Sequence, residues 1–61
     1  MDQRTREFYD QAAKRAVAVG PYYAIGTIQG ICENTEESAA TKIEHISYLL
    51  DRLMEEHVKK A

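Results

Sequence analysis

An apolar stripe with helical spacing runs along the last third of this chain. Its residues recur at alternating intervals of four and three positions, with two more beside them: Ala39, Ile43, Ile46, Leu50 and Leu53, then Leu49 and Met54. This spacing predicts a helix that lies along another helix. We therefore expect the stripe to form the core, and we expect Leu50→Ala to remove about 2–5 kcal/mol of folding free energy.

The length and the cysteine content limit the kind of molecule the chain can form. Sixty-one residues predict a single helical domain over 1–61, and a core of this size supplies only ~3–5 kcal/mol. One cysteine, Cys32, excludes an internal disulfide. Without a disulfide framework or a secretory apolar segment, we expect a cytoplasmic protein. No apolar run approaches the ~20 residues that span a bilayer, so no membrane partner is expected.

Capping and breaking residues divide the chain into helices. Asp2 can cap a helix over about 2–19, and Gly20-Pro21 then interrupts it, because proline lacks an N–H group and glycine can adopt a left-handed cap. A second helix is expected over about 21–32, with a short strand as the alternative because the segment is rich in β-branched residues. A turn at 33–35 leads to a third helix over about 35–59, capped by Asn34 or Thr35.

The short turn before the last helix sets the expected architecture. Such a connection forces neighbouring helices to run antiparallel. Residues 1–30 carry four bases and three acids, whereas residues 31–61 carry four bases and seven acids, which also favours pairing of the two halves. The fold class predicted is all-α: an antiparallel helical hairpin whose first arm is broken or kinked at Gly20-Pro21, giving two to three helices.

The residues that could carry chemistry lack the partners that chemistry requires. His45 and His57 are twelve positions apart, about 18 Å along a helix, so they cannot share one metal within a chain. Cys32 lies at the carboxyl end of a predicted helix, where the dipole opposes a thiolate, and is interpreted as a small core residue. We therefore predict no catalytic residues, no cofactor-binding residues, no metal and no enzyme activity.

The least polar part of the chain suggests a different kind of site. Residues 22–32 place Tyr22, Tyr23 and Ile25 close together, and adjacent tyrosines point about 100° apart on a helix. We expect one tyrosine to enter the core and the other, with Ile25, to contact a protein partner. The surplus of apolar groups in this segment also favours a homodimer slightly over a monomer.

The alternative function is nucleic-acid binding. Two helices and a turn are compatible with a dimeric DNA-associated transcriptional regulator. However, the exposed positions of the last helix are largely acidic, including Glu44, Asp51 and Glu55, and acids are repelled by phosphate. We therefore favour a non-enzymatic regulator that acts through protein–protein contacts, with no nucleic-acid partner.

Three segments resemble a group of viral proteins. They are Phe8-Tyr9-Asp10, the run from Pro21 to Gly26 (PYYAIG) and the run from Ile46 to Leu53 (ISYLLDRL). In these the chain resembles the small early proteins of lambda-like bacteriophages that are encoded between the recombination and excision genes. The resemblance implies a cytoplasmic helper in the host bacterium that alters host cell-cycle timing or phage development by binding a host protein. It implies no catalytic residues.

Overall fold

The computed structural model describes residues 1–60, with side chains through residue 59. Three α-helices occupy most of this range: α1 at Gln3–Ala18, α2 at Tyr22–Glu33 and α3 at Ala39–Lys60. The described residues contain no strand. The predictions of an all-α fold and of a first arm broken at Gly20-Pro21 are confirmed.

The start of α1 follows from its cap. The Asp2 carboxylate accepts the Thr5 N–H at 2.8 Å, and this backbone hydrogen bond lowers the pKa of Asp2. It also satisfies one of the amides that a helix leaves free at its first turn. Farther along α1, Ala12, Ala13 and Ala16 are buried. Their small side chains allow the neighbouring helices to come close.

The break between α1 and α2 depends on Pro21. The last turn of α1 closes with a 2.8 Å bond from the Val19 N–H to the Arg15 carbonyl. The Pro21 carbonyl then accepts the N–H groups of Ala24 and Ile25, both at 3.0 Å, and Pro21 takes the N-cap position of α2. The suggested left-handed cap at Gly20 is wrong, because no described glycine has positive φ. Gly20 instead makes room for a ring: a Cβ there would lie 3.0 Å from Cε2 of Tyr22.

The break reverses the chain instead of only bending it. Ile31, near the end of α2, packs in one cluster with Tyr9 of α1. Contacts between α1 and α3 advance in the same direction along both helices, from Tyr9 with His45 to Asp10 with Arg52. The molecule is therefore an up-down-up arrangement of three helices, in which α2 runs antiparallel to both neighbours and α1 runs parallel to α3.

The core lies between α1, the end of α2 and α3. It consists of Tyr9, Ala12, Ala13, Ile31 and Leu49. Leu49 is 0% exposed, whereas Leu50 is 47% exposed. The prediction that Leu50 is central to the core is thus wrong, because α3 turns the neighbouring side chain toward α1. Cys32 is exposed, so its interpretation as a core residue is wrong as well.

The third helix begins later than expected. The Ser38 hydroxyl accepts the Thr41 N–H at 3.2 Å, and the Ser38 carbonyl accepts the Lys42 N–H at 3.0 Å. Asn34 uses its side chain for the Glu36 N–H at 2.9 Å, which stabilises a turn instead of a helix. The expected turn at 33–35 and helix start near Thr35 are therefore wrong: Ser38 is the cap and the helix starts at Ala39.

Candidate functional site

An open apolar groove lies between α2 and α3, at the end of the molecule where α1 passes into α2. Its volume is about 690 Å³. One wall comes from α2 and the other from the second half of α3, and the carboxyl end of α1 closes the groove beneath. The lining residues are Ala16, Val17, Pro21, Ala24, Ile25, Ile28, Leu50, Leu53, Met54 and His57.

The groove brings together two stripes that the sequence contains. Pro21, Ile25 and Ile28 follow helical spacing on α2, and Leu50 and Leu53 belong to the stripe of α3. The α3 stripe is predicted to lie in a hairpin core and Ile25 to contact a partner, and nothing in the sequence predicts that the two stripes share one surface. In the structure they form opposite walls of an open groove, with Ile25 62% exposed and Met54 65% exposed. The apolar surface of α3 is wider than the part of it that α1 and α2 together bury.

A network of hydrogen-bonded side chains joins the opposite side of α3 to α1. The Asp10 carboxylate accepts a hydrogen bond from the Tyr48 hydroxyl and another from Arg52 Nε, both at 2.8 Å. The same guanidinium donates at 2.7 Å to Glu55 and to Glu56. The network leaves α1 and α3 with a fixed register.

The pKa values of this network follow from its hydrogen bonds. Burial raises the pKa of Asp10, but the bonds from Tyr48 and Arg52 outweigh it, so the pKa lies below its ordinary value of 3.8. The bond from Arg52 likewise lowers the pKa of Glu56. Bonding to Asp10 raises the pKa of Tyr48 and that of Arg52. All of these groups therefore keep their ordinary charge states near neutral pH, which suits a structural role.

A second contact between α1 and α3 involves one of the histidines. The Tyr9 hydroxyl lies 2.9 Å from Nδ1 of His45, and the two rings are in tilted contact with centroids 5.4 Å apart. Burial raises the pKa of Tyr9. A cleft of about 380 Å³ opens beside the pair, near Arg4 and Lys42. This hydrogen bond and ring contact join α1 to α3.

The expected contact residues do not share one surface. Tyr22 and Tyr23 are both exposed, so the expectation that one of them enters the core is wrong. They lie beside Phe8 in a shallow cleft of about 520 Å³ between α1 and α2. Ile25 belongs to the apolar groove on the other side of α2. A role in partner contact remains a prediction for all three residues.

The glycine pair of α2 is open to solvent. Gly26 and Gly30 are four residues apart on α2. A Cβ added at either position would have no neighbour within 4 Å. Among the residues that the structure describes, no helix therefore occupies the space beside these glycines.

The described residues offer little support for other kinds of site. Within residues 1–60, no group of three or more His, Cys, Asp or Glu side chains is arranged to hold a metal ion. Over the same residues, no helix combines the length and the apolar character needed to cross a bilayer. The apolar groove is the largest of the concave surfaces described above.

Comparison with protein-family models, with curated proteins and with solved structures finds no match to this chain.

Proposed function

We propose that this chain is a non-enzymatic regulatory protein that acts by binding another protein through the groove between α2 and α3. The observation that carries the proposal is the exposure of large apolar side chains on both walls, above all Ile25 and Met54. Apolar surface that is concave and continuous favours association, because covering it removes that surface from water.

The charge distribution supports a protein partner over a nucleic acid. The exposed side of α3 carries Glu44, Asp51 and Glu55, and Asp51 lies one helical turn from Met54 in the groove wall. The α2 wall has no charged residue between Arg15 and Glu33. A surface of this kind lacks the bases that bind phosphate.

The resemblance to early proteins of lambda-like phages gives the proposal its setting. We propose that the chain acts in the bacterial cytoplasm, on a host protein that controls cell-cycle timing or phage development. The partner is therefore to be sought first among bacterial cytoplasmic proteins.

The test is retention of proteins from bacterial lysate on the chain immobilised through its N-terminus. Three forms are compared: the parent, Met54→Gln and Ile43→Gln. Met54 and Ile43 lie on the same helix and are 65% and 64% exposed, but only Met54 lines the groove. We expect a protein that is retained by the parent and by Ile43→Gln and lost with Met54→Gln.

Two results would count against this function. One is equal retention of the same proteins by all three forms, which would show that these proteins do not bind through the groove. The other is retention of no protein, together with binding to mixed-sequence duplex DNA at low salt, where phosphate-driven affinity is largest.

A further inference from the structure

The groove is long enough to hold a short helix. Along α3 it extends from Leu50 to His57, which is two helical turns or about 10.5 Å. A helix laid in such a groove presents side chains at positions i, i+3 or i+4, and i+7. Two turns of the α3 wall therefore match three successive anchors on one face of a partner helix.

The two rims of the groove differ in charge. Next to Met54, the exposed surface of α3 carries Asp51, which lies one turn earlier on the helix. No basic residue occurs on α3 between Lys42 and Lys59 except Arg52, whose guanidinium is bound to Asp10, Glu55 and Glu56 on the α1 side. The α2 rim is uncharged. A ligand in the groove would therefore meet negative charge along one side only.

A second copy of the chain suits this groove poorly. If α3 paired with an antiparallel copy of itself, the same rims would face each other, and the Asp51 carboxylates of the two copies would lie along the same side of the interface. Like charges set opposite one another across an interface oppose association. The homodimer expected from the sequence would therefore need another face of the molecule.

We propose that the groove binds an amphipathic helix of another protein, with apolar anchors at i, i+4 and i+7 and with Lys or Arg along the flank that lies next to α3. This inference rests on the proposed function and specifies its partner. Apolar anchors supply the affinity, because they cover Ile25, Leu50 and Met54. The basic flank selects the orientation, since only one rim is acidic.

The experiment is a selection from a library of helical peptides about four turns long. Anchor positions vary among Leu, Ile, Met and Phe, and flank positions vary among Lys, Arg, Gln and Glu. The immobilised parent chain is the bait. We expect the recovered peptides to carry basic residues on one flank, at positions adjacent to the anchors.

Variants then locate the site for one recovered peptide. Met54→Gln should weaken binding about tenfold or more, as expected for loss of a central anchor contact, while Ile43→Gln should leave the dissociation constant within about twofold. Asp51→Lys should weaken binding about three- to tenfold and should reduce its dependence on salt. Glu7→Lys changes the net charge equally on α1, away from the groove, and should have little effect.

Each other outcome overturns the inference, and the outcomes separate it from the broader function. Recovered peptides with acidic or uncharged flanks, or binding that Met54→Gln leaves intact, would reject the basic helix but keep a protein-binding role. A concentration-dependent dimer that Met54→Gln abolishes would assign the groove to a second copy. Recovery of no peptide would reject the helix, and the lysate experiment would then decide on the function.

Discussion

The two interfaces that α3 makes are built differently. Toward α1, Leu49 is fully buried and the polar groups of Asp10, Tyr48 and Arg52 are bonded across the interface. Toward α2, the contacts are apolar and partly open, and the polar bond found there runs from Lys42 Nζ to the Cys32 carbonyl at 3.1 Å. The same helix thus has one face committed to folding and another that folding leaves partly uncovered.

Because of this difference, the interface with α1 stabilises the fold, whereas the groove side of α3 remains available for binding. Hydrogen-bonded charged groups fix one arrangement of α1 on α3, because any shift in register would leave them unpaired. Apolar side chains in the groove impose no such condition and can be covered by another apolar surface. We expect substitutions in the first interface to change the free energy of unfolding and those in the second to change binding.

The largest effect is expected for Leu49→Ala. Removing a fully buried leucine should lower the free energy of unfolding by about 2–5 kcal/mol, which is comparable to the whole stability of a chain this short. Leu50→Ala is the matched control. Because Leu50 is about half exposed, it should cost about 1 kcal/mol or less. Urea unfolding followed by circular dichroism measures both, and equal losses would show that the two sides of α3 do not differ as described.

A smaller effect is expected for Arg52→Met. The methionine keeps most of the apolar stem but removes the bonds to Asp10 and Glu56. We expect a loss of about 1–2 kcal/mol, since the pairs are only partly shielded from water. Hydrogen exchange should show faster opening where α1 meets α3. A variant as stable as the parent would mean that the network contributes nothing to the first interface.

The same network predicts a dependence on pH. The folded-state pKa values of Asp10 and Glu56 lie below their ordinary values of 3.8 and 4.5. Their contribution to stability is therefore complete above those values and is lost as the pH falls through the lower folded-state values. The urea concentration at the unfolding midpoint should decrease as the pH is lowered from about 6 to about 2. The decrease should be less steep for Arg52→Met. Parallel curves for the two proteins would exclude the network as the cause.

The smallest effects are expected at Gly26 and Gly30, where substitution should raise the free energy of unfolding instead of lowering it. Gly26→Ala and Gly30→Ala each place a methyl group in open space. Each should raise the free energy of unfolding by about 0.5–1 kcal/mol, because alanine favours a helix more than glycine does. Thermal melts test this directly. A loss of stability at either position would mean that another part of the molecule approaches α2 more closely than the structure shows.

The sequence predicts the helices well because their signals are local. Asp2 caps α1, and Pro21 interrupts the chain through chemistry that acts within one turn. The start of α3 was misplaced because Asn34, Thr35 and Ser38 all have capping side chains. Only the packed structure shows that Asn34 bonds within the turn instead.

The side of each helix that is buried could not be predicted so well. On α3, Leu49 and Leu50 are adjacent members of one wide apolar arc, and periodicity does not say which of them faces the larger neighbour. The choice depends on α1 running parallel to α3, which in turn depends on a full reversal at Gly20-Pro21. The pairing of Asp10 with Arg52 spans 42 positions and has no local signal.

The sequence contains both apolar stripes that line the groove, but it does not show that they face each other. Ile25 was selected as a contact residue because the segment around it has more apolar groups than a hairpin can bury. Met54 was assigned to the edge of the core. A count of apolar side chains against the surface of one neighbouring helix would have indicated that part of the α3 stripe stays uncovered.

α2 has a single charged residue, Glu33 at its last position, and this has a consequence for how the molecule responds to temperature. This helix is held mainly by apolar contacts, whose contribution weakens on cooling, whereas α1 and α3 are also joined by ionic hydrogen bonds that do not share this dependence. Near the freezing point of water, α2 should loosen from α3 before α1 does. The groove would then lose one wall in the cold while the rest of the fold persists.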